Sequence, residues 1–226
     1  MTQRGIDRSL DNAHYFGQSA LTMNERATLA ESEECFTVAD LNALTDLVAA
    51  TWLAAAHLDW SVPAGIVEWS CLSTADHAVD CVYAPAFFLA SRRLDRYPVA
   101  GSDLTLGAGA TPELLVDSLW LASRVLAAVV NDAEPDVQAI IFQRPDALTG
   151  APRDFAPRAA LELILHAHDV AVGLGIAFEP SAGLCHRLRE HTRQWPVWKA
   201  AWNDLGRTDD PWDDLLKASA RRYDGS

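Results

Sequence analysis

What this sequence does without narrows it first. It contains no apolar stretch near the roughly 20 uninterrupted residues that a bilayer-crossing helix needs. Its opening residues, MTQRGIDRSLDNAHYFG, lack the apolar core of a secretory signal. Both absences lead to the expectation of a cytoplasmic protein. Cysteine is sparse: Cys35, Cys71, Cys81 and Cys185 are irregularly spaced and form no CxxC pair. That excludes a disulfide scaffold and a ribbon-type zinc site, so the four are read as reduced thiols. Basic charge is scarce too, with 18 Lys and Arg against 31 Asp and Glu and a formal net charge of -13. With no sustained Lys/Arg run, binding to phosphate backbones or anionic membrane surfaces is not expected. Strand-type alternation, internal repeats and low-complexity tracts are minimal, which argues against β-rich and solenoid architectures.

What remains is a chain of 226 residues, half of them hydrophobic, enough to bury one full core. Residues 1–34 are polar and aperiodic and read as a poorly ordered leader, within which Met23 is a conceivable alternative start. Residues 35–226 read as a single helical domain. From Phe36 to His57, Val38, Leu41, Leu44, Val48 and Trp52 recur at helical spacing. The stretch DWSVPAGIVEWS, with Pro63 and Gly65 between Trp60 and Trp69, reads as an ordered loop packed on the core. A second helix, capped by Ser73 or Thr74 with Asp76 in its first turn, is expected to reach about Tyr97 and to bend at Pro85 without ending. After the flexible-looking VAGSDLTLGAGA, Thr111-Pro112-Glu113 opens a third helix carrying Leu115, Leu119, Ala122 and Val129. A long connection containing the apolar run AIIF leads to a fourth helix, starting near Pro157 and ending at Gly173 or Gly175. Two shorter helices are expected at Ser181 to about Leu205 and Pro211 to about Tyr223.

The chemistry concentrates in the fourth helix. Residues four apart stack on one helical face, so Glu162 and His166 in LELILHAHD present a carboxylate and an imidazole one turn apart, a spacing that suits one metal ion. Alone, such a pair is more often a surface hydrogen bond. Here the neighbours Leu161, Leu163, Ile164, Leu165 and Val170 make the helix apolar nearly all round, and a buried charge demands a partner. Asp169 shares the stripe and is a candidate to orient a ligand, bind substrate or act as a base, whereas His168 points away. On the second helix His77, Cys81, Ala84 and Phe88 form an inward stripe. His77 is a candidate third ligand, although by itself a hydrogen-bonded histidine is the commoner reading there. Cys81 is either a rival ligand or a small core hydrophobe, and the latter is favoured. His14, His57, His186 and His191 read as surface or structural, the tryptophans as core, and Arg144, Arg153 and Arg158 as solvated surface arginines.

Three segments, LDWSVPAGIVEWSCLSTADHAVD, LELILHAHDVAVGLG and DDPWDDLLKASARR, together resemble the mycothiol-dependent maleylpyruvate isomerase family of the DinB/YfiT-like superfamily, over most of the chain from about Phe36. The resemblance implies an all-α fold, an up-down-down-up four-helix bundle with additional C-terminal helices. It also implies zinc, or another divalent metal, held by His77, Glu162 and His166, with an open position for a thiol. Two imidazoles and one carboxylate suit catalytic rather than structural zinc. Mycothiol would then serve as cosubstrate, for S-transfer to a small electrophile or for its thiol-assisted isomerisation. The chain after Gly183 is too short for the extra C-terminal domain of maleylpyruvate isomerase itself, so that substrate is not carried over. A hydrolase or lyase using zinc-bound water, and a non-catalytic small-molecule binder, are the alternatives. Expected partners are a small electrophile and a thiol, in a monomer or homodimer, with no nucleic acid and no membrane.

Overall fold

A reciprocal cap opens the first helix: Thr37 Oγ1 accepts from the Asp40 N–H, and the Thr37 N–H donates to Asp40 Oδ2 at 2.9 Å. The structure, a computed structural model, describes residues 35–98, 109–144, 146–198, 201–202, 205 and 208–221. The expected leader (1–34) and most of the expected flexible segment (99–108) lie outside the described residues. Helix α1 spans Val38–Ala54 and buries Leu41, Leu44, Val48 and Trp52. That is the stripe the spacing predicts, with Val38 only partly covered.

Helix α2 spans Cys71–Ser91 and begins earlier than expected: Ser70, not Ser73 or Thr74, is the cap, and its Oγ accepts from the Ser73 N–H at 3.1 Å. The preceding loop provides the reason. It folds back so that the Cys71 N–H donates to Val62 O at 2.8 Å and the Leu72 N–H to Trp60 O at 3.0 Å, satisfying two donors that a helix start leaves open. Asp76 therefore falls beyond the first turn. Pro85 is accommodated within the helix, which stops at Ser91, short of Tyr97, where Arg92 turns left-handed at φ 51°. Helix α3, Pro112–Asp132, has the expected Thr111 cap, Pro112 in its first turn and Glu113 beside it, and it buries Leu115, Leu119 and Ala122.

The connection after α3 holds more structure than its sequence signals. AIIF forms strand β1 (Ala139–Phe142), buried at all four positions, and pairs antiparallel with β2 (Leu148–Gly150), Ala139 opposite Gly150 and Phe142 opposite Leu148. A 3-10 turn over Pro152–Asp154 runs straight into helix α4, Phe155–Leu174, so the helix starts two residues before Pro157. It is closed by Gly175, left-handed at φ 66°. Gly173 lies inside the helix, where an added Cβ would come within 2.9 Å of Ala64 Cα and 2.6 Å of Cys71 Sγ, so the 60–70 loop can press directly onto α4.

Helix α5, Ala182–Thr192, is much shorter than the span to Leu205 suggested. A 3-10 turn at Pro196–Trp198 follows instead, because proline cannot extend the hydrogen-bond ladder. Helix α6, Pro211–Ala218, has the expected Asp210 cap and ends before Tyr223, which is outside the described residues. Buried Arg189 on α5 grips buried Asp214 on α6, whose Oδ1 also accepts from Thr208 Oγ1 at 2.9 Å.

The chain is thus predominantly helical, with one small hairpin among the described residues. α2 packs most extensively against α4 and α3, and α1 against α3 and α4; the consecutive pair α1 and α2 barely touch. The hairpin lies against α2, tied there by the Ile140 N–H donating to Arg93 O at 2.6 Å. No described helix is long and apolar enough to cross a membrane.

Candidate functional site

The α2–α4 seam is the most extensive helix contact, and it is where the titratable side chains meet. Glu162 and His166 project one turn apart from α4, with Glu162 Oε2 3.6 Å from His166 Nε2. His77 approaches from α2, its ring 5.1 Å from that of His166 and tilted by 74°. One turn further along α2, Cys81 Sγ lies 3.4 Å from His77 Nε2. The three residues singled out as ligands therefore share one seam.

Asp169 sits on the opposite side of His166. Its Oδ2 is 3.3 Å from His166 Nδ1, an ion-pair distance that falls off the line of a good hydrogen bond. Arg221 clamps the same carboxylate in a fork, Nε to Oδ1 at 2.9 Å and Nη2 to Oδ2 at 2.6 Å. Burial pushes the Asp169 carboxyl up, but the His166 contact and the Arg221 hydrogen bonds and charge outweigh it and hold the group below the usual carboxylate range. The loop before α2 completes this wall: an added Cβ on Gly65, at φ 49°, would meet Asp169 Cα at 3.1 Å.

Arg158 corrects an expectation. It is not a solvated surface arginine: its side chain is 14% exposed, its Nη1 donates to Glu162 Oε1 at 2.7 Å, and its guanidinium lies 4.6 Å from the centroid of the Phe142 ring. Burial raises the Glu162 carboxyl, while the charges of Arg158, His166 and His77 pull it lower and win. Burial and then Glu162 push the Cys81 thiol well above its ordinary value, which keeps it protonated. Trp69 also departs from the core reading. It is half exposed, its ring edge-on to His77 at 5.1 Å, whereas Trp60 is buried against Trp52 as expected. His191 is structural, paired with Asp154 at 2.9 Å, and His168 packs on Trp212 away from the seam.

A cavity of about 220 Å³ opens onto the seam, lined by His77, Asp80, Cys81, Phe88, Tyr97 and Arg158. The hairpin shapes its wall: Tyr97 stacks on Phe88 at 4.2 Å and accepts from the Gln143 N–H at 3.1 Å. A larger cavity of about 430 Å³ lies between α1 and α3, but around Asn42, Thr45, Asp46, Trp120, Ser123 and Arg124 it offers no thiol or imidazole. Chemistry rather than volume therefore locates the site.

The donors suit zinc in kind: imidazole and carboxylate, with His166 backed by a carboxylate on its other nitrogen. The Glu162–His166 separation of 3.6 Å compares with about 3.4 Å for two such donors at zinc bond lengths and a tetrahedral angle. Glu162 and Asp169 thus flank the two ring nitrogens of His166. Among the described residues no three His, Cys, Asp or Glu side chains are gathered as a metal cluster, so the donors match the ion in kind and not as an assembled set.

Sequence reasoning missed Arg158, Arg221 and Trp69. Arg158 left a readable signal, since it precedes Glu162 by four residues and so shares its helical face. Arg221 left none, because it reaches Asp169 across 52 positions. The chain matches no protein-family model, no curated protein and no solved structure.

Proposed function

We propose that this protein is a zinc-dependent enzyme that activates a low-molecular-weight thiol, with mycothiol as the cosubstrate, for S-transfer to or isomerisation of a small electrophile. His77, Glu162 and His166 would hold the ion. The observation that carries this reading is the His166 imidazole facing the Glu162 carboxylate at 3.6 Å inside the seam, beside His77 and a cavity of small-metabolite size. A bound zinc ion lowers the pKa of a thiol so that it is nucleophilic near neutral pH.

The remaining roles belong to the chain. Asp169, locked by Arg221, holds the His166 ring and its tautomer; because that carboxylate is buried and doubly engaged, we assign it to positioning rather than to proton transfer. Arg158 fixes Glu162 through Oε1 and leaves Oε2 directed at His166. The Phe88–Tyr97 wall excludes water from one side of the cavity and offers a flat surface to a conjugated substrate. We further propose that α1–α4 form a DinB-like up-down-down-up bundle, a reading supported by the long connections and by the separation of α1 from α2. Such an enzyme belongs in the cytoplasm, where small thiols are kept reduced.

The test is metal analysis of the purified protein and of Glu162→Ala, paired with thiol consumption on a panel of electrophiles with mycothiol. Metal bound by the parent and lost from the variant, with consumption that needs both metal and electrophile, is the expected result. Full metal occupancy in Glu162→Ala would overturn the ligand set, and metal-dependent turnover without any thiol would favour zinc-bound water as nucleophile.

A further inference from the structure

The cavity between α1 and α3 takes no part in the seam, yet its walls are regularly built. Each helix contributes residues at i, i+3 and i+4, which share one helical face: Asn42, Thr45 and Asp46 from α1, and Trp120, Ser123 and Arg124 from α3. Two bonds tie the walls together, Trp120 Nε1 donating to Asp46 Oδ1 at 3.2 Å and Ser123 Oγ donating to Asn42 Oδ1 at 3.1 Å. They orient both acceptors and leave Asp46 Oδ2 and the Asn42 amide N–H groups without a partner among the described residues. The volume of about 430 Å³ falls within the roughly 300–1,000 Å³ usual for small-molecule sites.

Thr45 supplies the observation that points to a ligand. It lines the cavity and is 2% exposed, and its Oγ1 is buried with no hydrogen-bond partner. Buried hydroxyls are normally bonded, and leaving one unmade is costly. The walls carry one carboxylate and one guanidinium, so no net charge favours an anion or a cation. An ionic ligand would depend on Asp46 and Arg124, both exposed, where a charge pair is worth little. Hydroxyls on adjacent carbons suit these walls better, because each both donates and accepts: one donates to Asp46 Oδ2 while its neighbour accepts from the Asn42 amide or from Arg124. The Trp120 indole offers apolar surface to the carbon skeleton between them.

We propose that this cavity is a second binding site, for a neutral ligand with adjacent hydroxyls, of the sugar or polyol class, and that the Thr45 hydroxyl is one of its contacts. The site stands apart from the metal reading, and neither depends on the other.

The Trp120 indole N–H signal in a proton–nitrogen correlation spectrum, assigned with Trp120→Phe, tests it, because that group is bonded to Asp46 inside the cavity. Titration with D-glucose and with glycerol is expected to shift the signal saturably, whereas cyclohexanol, with a single hydroxyl, and the zwitterion alanine should not. In Thr45→Val the affinity should fall by about 2- to 10-fold, the worth of one neutral hydrogen bond. Its melting temperature should stay at or above the parent's, because the deleted hydroxyl made no bond, and this separates a lost contact from lost folding. Asp46→Asn, which keeps an acceptor for Trp120, should weaken binding by about 10- to 100-fold, the worth of a bond to a charged group. No saturable shift in the parent would overturn the site. A response to cyclohexanol or alanine as strong as that to glucose and glycerol would overturn the ligand class, and undiminished affinity in Thr45→Val would overturn the contact assigned to its hydroxyl.

Discussion

Arg221→Ala probes the link between fold and site most directly. Its side chain is 11% exposed, and its guanidinium forks onto the carboxylate of Asp169, whose side chain is 1% exposed. Truncation leaves a buried carboxylate facing only His166, and removing one partner of a buried pair costs about 3–5 kcal/mol. Water can follow the shortened side chain, so the lower end applies, about 3 kcal/mol, or a melting temperature lower by about 6–12 °C for a domain of this size. Guanidinium denaturation at unchanged slope would read the loss. A cycle with Asp169→Ala should be strongly non-additive, the double variant costing far less than the sum of the singles. The pH dependence has a definite sign. In the parent the Asp169 carboxyl titrates below its usual value, so its stabilisation is complete above the unfolded value of about 3.9 and is lost as pH falls through the folded one. In Arg221→Ala burial dominates and the folded value rises, so the deficit is largest near neutrality and narrows toward acid. Metal affinity should drop by about 10- to 100-fold, as for lost partners of a ligating histidine. A loss under about 1 kcal/mol, or an additive cycle, would refute the clamp.

Two further outcomes follow from the packing. Gly173→Ala should destabilise the protein by about 1–3 kcal/mol through overpacking, because the new Cβ meets Cys71 Sγ and the Ala64 backbone; at an unobstructed helix position the same change would stabilise by ~1 kcal/mol, so a higher melting temperature would contradict the close approach of loop and helix. Asp40 caps α1 and pairs with Arg187, so Asp40→Asn should cost about 1–2 kcal/mol at neutral pH. Burial pushes its carboxyl up, but the bonds to Arg187 and Thr37 hold it low, so the parent's advantage should fade below about pH 4; denaturation midpoints that stay equally separated from pH 7 to pH 3 would disprove this.

The long helices were legible because their signals are local. Thr111-Pro112-Glu113 and the Leu115, Leu119, Ala122 stripe define α3 without help from any other part of the chain. Where a distant partner intervened, boundaries moved. The Ser70 cap is chosen by backbone bonds from the start of α2 to Val62 and Trp60. The AIIF run becomes a strand only because Leu148–Gly150 returns beside it.

For the site the division is sharper. Helical periodicity alone places Glu162, His166 and Asp169 on one stripe of α4, and His77 with Cys81 on one stripe of α2. Periodicity relates residues of one helix and says nothing about which stripes face each other. Only tertiary packing brings the His77 ring of α2 against the His166 ring of α4, lays Arg158 on Phe142 of β1, and carries Arg221, beyond α6, to Asp169. Desolvation is what gives those charges their consequence, and it exists only once the helices have met.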